Sequence, residues 1–455
     1  MSSEPKSSRF EIDMCSGPLL PKLISFTLPL MLASVLQLLF NAVDVIVVGK
    51  FAGSQALAAV GSTTSLINLI INLMIGISLG TNVIAGRFFA LKDHKSMEEL
   101  VHSSICLAFF GGLVLSFIGV FFSGPALRLM GTPDEVYNMA VLYIRVYFLG
   151  MPFFMLYTFG AAVLRAVGDT KRPLLYLVLA GVINAVLNVI LVVGFNMAVL
   201  GVALATVVSQ LISCILVLNC LRKSETSYGL KFDKLKIHKK YLPQLIKIGL
   251  PAGLQSLVIN FSNVLLQSSV NSLGDIAMAG YTAAQNVFGF LYVACNSFTQ
   301  TCMSFTSQNY GVKDFKRMDK VLWYCIFLST GTMLLLGGLV YYFGEPIIHI
   351  YSDSPEVIAC GAQVFLYTTS TYFICGLMDL LPGAMRGMGY SIVPMFLSVV
   401  GTVGVRILWI YCIFPLHRSL DILFISYPLS WLVTLAMQLV YLYFVRKKVN
   451  ISLLE

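Results

Sequence analysis

Apolar residues fall in long runs along this chain, broken at intervals by short polar segments. Twelve runs are long enough to cross a hydrocarbon core about 30 Å thick, which takes about 20 helical residues. They predict membrane helices over 22–48, 55–86, 99–122, 136–164, 173–195 and 198–221. After a polar gap come 243–273, 277–308, 320–343, 357–385, 390–415 and 421–445. The longest of these runs exceed what a perpendicular helix needs, which implies tilt or projection past the bilayer. The longest polar segment, 222–241, is rich in Lys with Ser and Thr and separates six runs from six.

The first run, 28–53, carries Ser34, Gln37, Asn41 and Asp44 at the spacing of one helix face, and its other faces are Leu, Val, Met and Phe. A carboxylate inside a membrane costs roughly 2.5–3.5 kcal/mol on insertion scales and is a functional candidate by default. Only Asp44 and Asp379 lie well inside apolar runs; the other acids fall in loops, tails or helix ends.

The two sets of six runs are repeats. Sliding the chain along itself until Gly53 falls on Gly274 also brings Lys92-Asp93 onto Lys313-Asp314 and Glu135-Val136 onto Glu356-Val357. The same shift brings Arg165, Gly168 and Pro173 onto Arg386, Gly389 and Pro394, while Pro29 meets Pro251 with a slip of one position. Six spans is an even number, so both halves enter from the same side. That makes a parallel repeat, an architecture found among transporters. The expected layout is a tail at 1–21, a first lobe at 22–221, a basic linker at 222–241, a second lobe at 242–446 and a tail at 447–455.

Composition agrees. Of 455 residues, 58% are hydrophobic and 11% charged, about half the charged fraction of a soluble protein, and mean hydropathy is +0.85. With the N-terminus placed in the cytoplasm, 24 of the 30 Lys and Arg fall on cytoplasmic segments and three (Lys50, Arg128 and Arg418) on external loops. This bias puts both termini in the cytoplasm of a multi-pass plasma-membrane protein. It also explains the net charge of +9 without nucleic acid. The segment 1–21 lacks the pattern of a cleaved signal peptide. Ten cysteines, mostly inside apolar runs and without a CxxC pair, argue against a disulfide framework or a zinc site.

Company for Asp44 is expected from Asn184 and Asn188, one turn apart in run five, from Thr206 in run six, and from Ser65, Asn68 and Asn72 in run two. Such a cluster can load a proton or offer oxygens to Na⁺. Run seven carries Ser256, Asn260, Asn263 and Gln267 on one stripe, and run eight adds Gln285, Asn286, Asn296 and Gln300. An amide-lined surface facing an acid-bearing one suits large, partly apolar cations, with Tyr157, Tyr292, Tyr367, Tyr372, Met155 and Met378 as candidate packing partners. Asp379 has Arg406 as a candidate partner. No GxxxxGK[ST] loop, Ser-His-Asp set or metal-ligand cluster is present, so neither an ATP-driven pump nor an enzyme is indicated, and no cofactor is expected beyond a coupling ion.

These residues resemble the multidrug and toxic compound extrusion (MATE) family over about 15–447. The features that carry the resemblance are the LP…Asp run at 28–53, GAAVLRAVGDTKRP at 160–173 with its echo PGAMRGMGYSIVP at 382–394, INAVLNVILV in run five, and GVALATVVSQ at 201–210. The resemblance implies an all-α membrane fold of twelve helices in two six-helix bundles arranged as a V. It implies an antiporter that exports cationic, lipophilic compounds in exchange for H⁺ or Na⁺ by alternating access, as a monomer. In the DNA-damage-inducible-type prokaryotic branch a first-helix acid couples transport, and Asp44 matches it. Pro29 matches the bend of that helix, and Asn184 and Thr206 match further cation-site positions. The branch commonly carries an acid where this chain has Asn188. The other branch's helix-seven acid falls on Ile259 here, and its helix-ten acid lies about one turn before Asp379. The substrate cavity is expected to include Gln37, Asn41, Asn68, Asn260, Asn263, Gln285 and Asp379. Two alternatives are a flippase for lipid-linked saccharides, whose basic cavity could draw only on Arg145 and Arg406, and a non-transporting receptor or channel, which the repeat disfavours.

Overall fold

The computed structural model describes residues 10–451, which are helical with no strand among them. Twelve rods follow in order. They are α1 (Leu19–Ala52), α2 (Ser54–Ala90), α3 (His94–Leu129), α4 (arms Asp134–Leu149 and Met151–Ala166), α5 (Lys171–Gly194) and α6 (Ala198–Arg222). After the linker come α7 (Leu242–Asn271), α8 (Asp275–Gly311), α9 (Phe315–Tyr342), α10 (Pro355–Gly387), α11 (Ile392–Ile413) and α12 (Leu420–Ile451). Ten of these are long and apolar enough to span a membrane, and α4 makes an eleventh when its two arms, bent by 45°, count as one span. The twelfth, α8, is 37 residues long and more polar than the others. Its polarity is turned inward: Ser297, Thr301, Ser304, Ser307 and Asn309 are buried. Polar helix faces are tolerated in a membrane when they meet protein and not lipid.

By packing, the chain divides into two units. The first is Met1–Asp13 with Leu28–Ile246, and the second is Met14–Thr27 with Lys247–Glu455. The linker therefore packs with the first unit, and α1 and α7 each change unit within their first turns. In the second unit Thr27 Oγ1 sits 2.9 Å from Thr301 Oγ1 on α8, and Phe26 meets Phe305 edge-on at 5.6 Å. In the first unit the start of α7 lies on α2, where a Cβ on Gly80 would collide with the Leu245 carbonyl. Gly80 and Thr301 occupy equivalent positions under the shift that brings Gly53 onto Gly274.

The repeat extends to backbone detail. Gly53 and Gly274 both adopt positive φ (89° and 103°), as do Gly168 and Gly389 (93° and 89°). More telling, Lys92 and Lys313 do so too (55° and 59°), an uncommon conformation for a side chain with a Cβ. Each is followed by an Asp that caps the next helix. Asp93 accepts from the Ser96 N–H at 3.1 Å and Asp314 from the Arg317 N–H at 2.9 Å, so the Lys-Asp echo is a helix stop followed by a helix start.

Within each unit, small residues face inward and large apolar ones outward, because lipid rewards apolar exposure and close backbone approach. On α3, Gly112, Ser116, Gly119 and Ser123 are buried, while Phe110, Val114, Phe117 and Phe121 are exposed. A Cβ on Gly119 would run into the Phe148 ring. Ser116 has a second task. Residue 152 is Pro, so the regular i+4 N–H to the Phe148 carbonyl is missing at the bend in α4. The Ser116 hydroxyl donates to that carbonyl instead, at 2.6 Å.

Two outcomes follow. Ser116→Ala should lower thermal stability in detergent by about 0.6–1.7 kcal/mol, the range for hydrogen bonds between membrane helices, while Phe117→Leu on the lipid face should change it little. The Ser96 bonds hold the Asp93 carboxyl below the usual carboxylate range. A depressed folded-state pKa means the cap stabilises fully above the unfolded value near 3.9 and is lost as pH falls through the folded value. Asp93→Asn, which still caps, should therefore fall slightly behind the wild type at about pH 6 and above and converge with it as pH falls through the depressed folded-state value, as read by thermal unfolding.

Candidate cation site

The first unit brings Asp44, Asn188, Asn184 and Thr206 into one connected chain of polar groups. α1 reaches α5 because Gly181 has no side chain: a Cβ there would lie inside the Phe40 ring. One turn further along α1 and two turns further along α5, Asp44 and Asn188 meet. Asn188 Nδ2 donates to Asp44 Oδ1 and also to Asn184 Oδ1 at 3.1 Å. Asn184 Nδ2 reaches Thr206 Oγ1 on α6 at 3.5 Å, and Thr206 donates onward to the Val202 carbonyl at 3.0 Å.

The direction of this chain is fixed from its far end. Because the Thr206 proton goes to Val202, its oxygen accepts from the Asn184 amide. That turns Asn184 Oδ1 toward Asn188, whose Nδ2 then faces two acceptors. The opposite orientation would set the Asn188 oxygen against the Asp44 carboxylate. The consequence is that Asn188 Oδ1 is buried and has no hydrogen-bond donor, beside a carboxylate that forms no ion pair among the described residues. Asn188 is 0% exposed and Asn184 is 5% exposed. An orphaned carbonyl oxygen beside an unpaired carboxylate offers a place for positive charge. One carboxylate, two amides and a hydroxyl form a hard-oxygen set of low charge, suited to a proton or a monovalent ion more than to a transition metal.

Both helices widen next to this pair. α5 passes into wide i→i+5 turns over Val189–Gly194, directly after Asn188, and α1 does so over Val48–Ala52, about one turn after Asp44. Such turns recur at functional sites. Tyr143 and Tyr147 on α4, paired at 6.2 Å between ring centroids, stand within electrostatic reach of Asp44. Hydropathy and motif reading reveal neither the wide turns nor the tyrosines; the i,i+4 tyrosine spacing on α4 is the one signal that points to the latter.

Other candidates lie elsewhere. Gln37, Asn41 and Asn68 in the first unit, and Asn260 in the second, are exposed and their side chains form no hydrogen bond among the described residues. Of the run-two residues, Ser65 is exposed, and the Asn72 amide donates to the Asn68 carbonyl at 2.8 Å. In the second unit Asn263 accepts from Arg406 at 3.0 Å, and Gln285 donates to the Tyr281 and Tyr427 hydroxyls. Arg406 is therefore not the partner of Asp379. Its guanidinium lies 4.3 Å from the centre of the Tyr427 ring and bonds Ser430 at 3.2 Å, satisfied by neutral groups. Asp379 forms no ion pair among the described residues, and Arg386, further along α10, gives a hydrogen bond to Gln255 at 2.5 Å. Met155, Met378 and Tyr372 are buried inside their own units, and Tyr157 donates to the Pro173 carbonyl at 3.1 Å, while Tyr292 is exposed. Pro29 sits inside α1, just past the point where that helix changes unit.

The MatE family model matches this chain twice, over residues 29–190 and 251–412. The chain belongs to the MATE family. A relative in Bacillus subtilis, the probable multidrug resistance protein YoeA, is 30% identical over 440 residues, 94% of each chain. The multidrug export protein MepA of Staphylococcus aureus is 21% identical over 376 residues, 82% of each. Among solved structures, an outward-facing multidrug resistance MATE transporter of the MOP superfamily aligns with a TM-score of 0.89 at 19% identity, covering 98% of this chain and 99% of that one. A MOP-superfamily transporter from Pyrococcus furiosus, described as having reversed binding-pocket polarity, also scores 0.89, at 21% identity over 98% and 99%. The all-helical membrane fold with two repeated bundles is thus that of MATE multidrug efflux transporters, a family of transporters and not of enzymes.

The hydrogen bond between α1 and α5 is open to direct measurement. Asn188→Leu leaves the Asp44 oxygen without its N–H donor and should cost about 1–3 kcal/mol. Asp44→Leu should then be cheaper in the Asn188→Leu background than in the wild type. A double-mutant cycle on thermal stability should give a coupling of at least about 0.5 kcal/mol; additive losses would mean that the two side chains do not interact.

Proposed function

We propose that this MATE-family protein is a secondary antiporter that exports cationic, lipophilic compounds in exchange for H⁺ or Na⁺, with the ion held at Asp44. The observation that carries this reading is the unpaired carboxylate beside the donor-free Asn188 oxygen. A proton would neutralise Asp44 directly. Na⁺ would take a carboxylate oxygen of Asp44 and the Asn188 Oδ1, and both would be available without breaking the Asn184–Thr206 chain. Asn188 contributes no charge, so coupling rests on the single carboxylate of Asp44.

The energetics are sufficient. A tenfold ion gradient stores about 1.4 kcal/mol, so a one-for-one exchange sustains up to a tenfold gradient of drug. Coupling requires that ion and drug favour different states of the protein. Neutralising Asp44 removes the one negative charge that would hold an organic cation near α1, and α1 is free to respond at Pro29. On this reading ion binding bends the first helix and releases the drug, and the exposed amides Gln37 and Asn41 lie along the helix face that leads from that bend to Asp44.

Proteoliposomes test this. An imposed H⁺ or Na⁺ gradient should drive ethidium uptake by the wild type, and the gradient that works identifies the ion. Asp44→Asn should abolish gradient-driven uptake. If it transports as well as the wild type under both gradients, Asp44 is not the coupling site.

A further inference from the structure

The linker between α6 and α7 is not a loose tether. It is seated on the end of α3 by groups that a solvated loop would not need. His102, 1% exposed, gives its Nδ1–H to the Glu98 carbonyl at 2.7 Å, and its Nε2 accepts from the Lys231 N–H at 3.0 Å. Ser103 Oγ accepts from the His238 N–H at 2.9 Å. Glu98 pairs with Lys234 at 2.8 Å, and Glu99 pairs with Lys240 at 2.5 Å and accepts from the Tyr241 hydroxyl at 3.1 Å. These contacts hold the segment from 231 to 241 against the helix bundle.

What the anchoring leaves outside is unusual for a loop. Phe232, Leu235 and Ile237 are 55%, 38% and 39% exposed. Between and beside them, Lys236 and Lys239 are exposed and form no ion pair among the described residues, since Glu98 and Glu99 are taken by Lys234 and Lys240. A tether of this length needs no anchored apolar side chains facing water. Both ends of the segment are ends of membrane spans, so it lies at the level of the lipid headgroups. Apolar side chains interleaved with unpaired lysines at that level match an interface with acyl chains below and anionic phosphate beside them, each Lys near such a surface being worth about 1 kcal/mol.

We infer that residues 231–240 form a lipid-docking element, with Phe232, Leu235 and Ile237 entering the interface and Lys236 and Lys239 selecting anionic phospholipid headgroups. The inference needs the membrane reading alone; it stands or falls independently of Asp44.

The probe is a tryptophan at Phe232 in the full-length protein, reconstituted in nanodiscs containing brominated phosphatidylglycerol or, at equal bromine content, brominated phosphatidylcholine. The difference between Phe232→Trp and wild-type emission reports the added residue alone. Expected is at least twofold stronger quenching in phosphatidylglycerol than in phosphatidylcholine, with Lys236→Glu/Lys239→Glu removing the excess. No quenching by either lipid, or equal quenching by both, overturns the inference. Should Phe232→Trp lower the melting temperature, Ile237→Trp replaces it with the same two readings.

Discussion

A half-buried carboxylate that has no ion-pair partner among the described residues must be held by neutral donors, and Asp44 is placed to meet that requirement. Asp44 is met by one amide, Asn188, and that amide is aimed by a relay running through Asn184 and Thr206 to a backbone carbonyl on α6. Three helices are thereby tied at one depth. Close approach of α1 to α5 depends on Gly181, whose missing side chain makes room for Phe40. The same relay that orients Asn188 leaves its oxygen without a donor. Supplying one hydrogen bond to the acid and creating one vacant acceptor are the same geometric event.

The second unit treats its charges differently. Arg406 is satisfied by Asn263, Ser430 and the face of Tyr427, and Arg386 gives a hydrogen bond to Gln255. These two arginines are held by neutral polar groups, and the α7 position corresponding to Asp44, once the slip between Pro29 and Pro251 is allowed for, carries the buried Leu266. Two bundles built on one backbone plan thus differ at the position that Asp44 occupies.

Much of this was legible in the sequence because the signals were backbone signals. The Gly53/Gly274 and Gly168/Gly389 pairs mark positive φ, and Lys92-Asp93 with Lys313-Asp314 marks a stop and a cap, so one constant shift locates equivalent joints. Asn184 and Asn188 stand out by helical spacing. What escaped depends on tertiary contact. Asp169 reads as a loop acid, yet it is buried, accepting from the Lys171 and Arg172 N–H groups at 3.1 Å each and pairing with the Arg172 side chain. The amides Gln37, Asn41, Asn68 and Asn260 share the polar character of Asn184 but are exposed and form no side-chain hydrogen bond among the described residues, and composition does not separate the two cases. The wide turns after Asp44 and Asn188 leave no mark in hydropathy.

The change of unit within α1 and α7 carries a structural consequence. The repeat in the gene and the repeat in space are out of step by a few helical turns. Residues 14–27 from the first half complete the second unit, and residues 242–246 from the second half complete the first. Each bundle therefore borrows the opening of its partner's leading helix, the reciprocal exchange seen when two identical protomers swap an arm. Neither half of the sequence therefore supplies a whole unit by itself, and cutting the chain in the linker would leave each unit short of one helix opening.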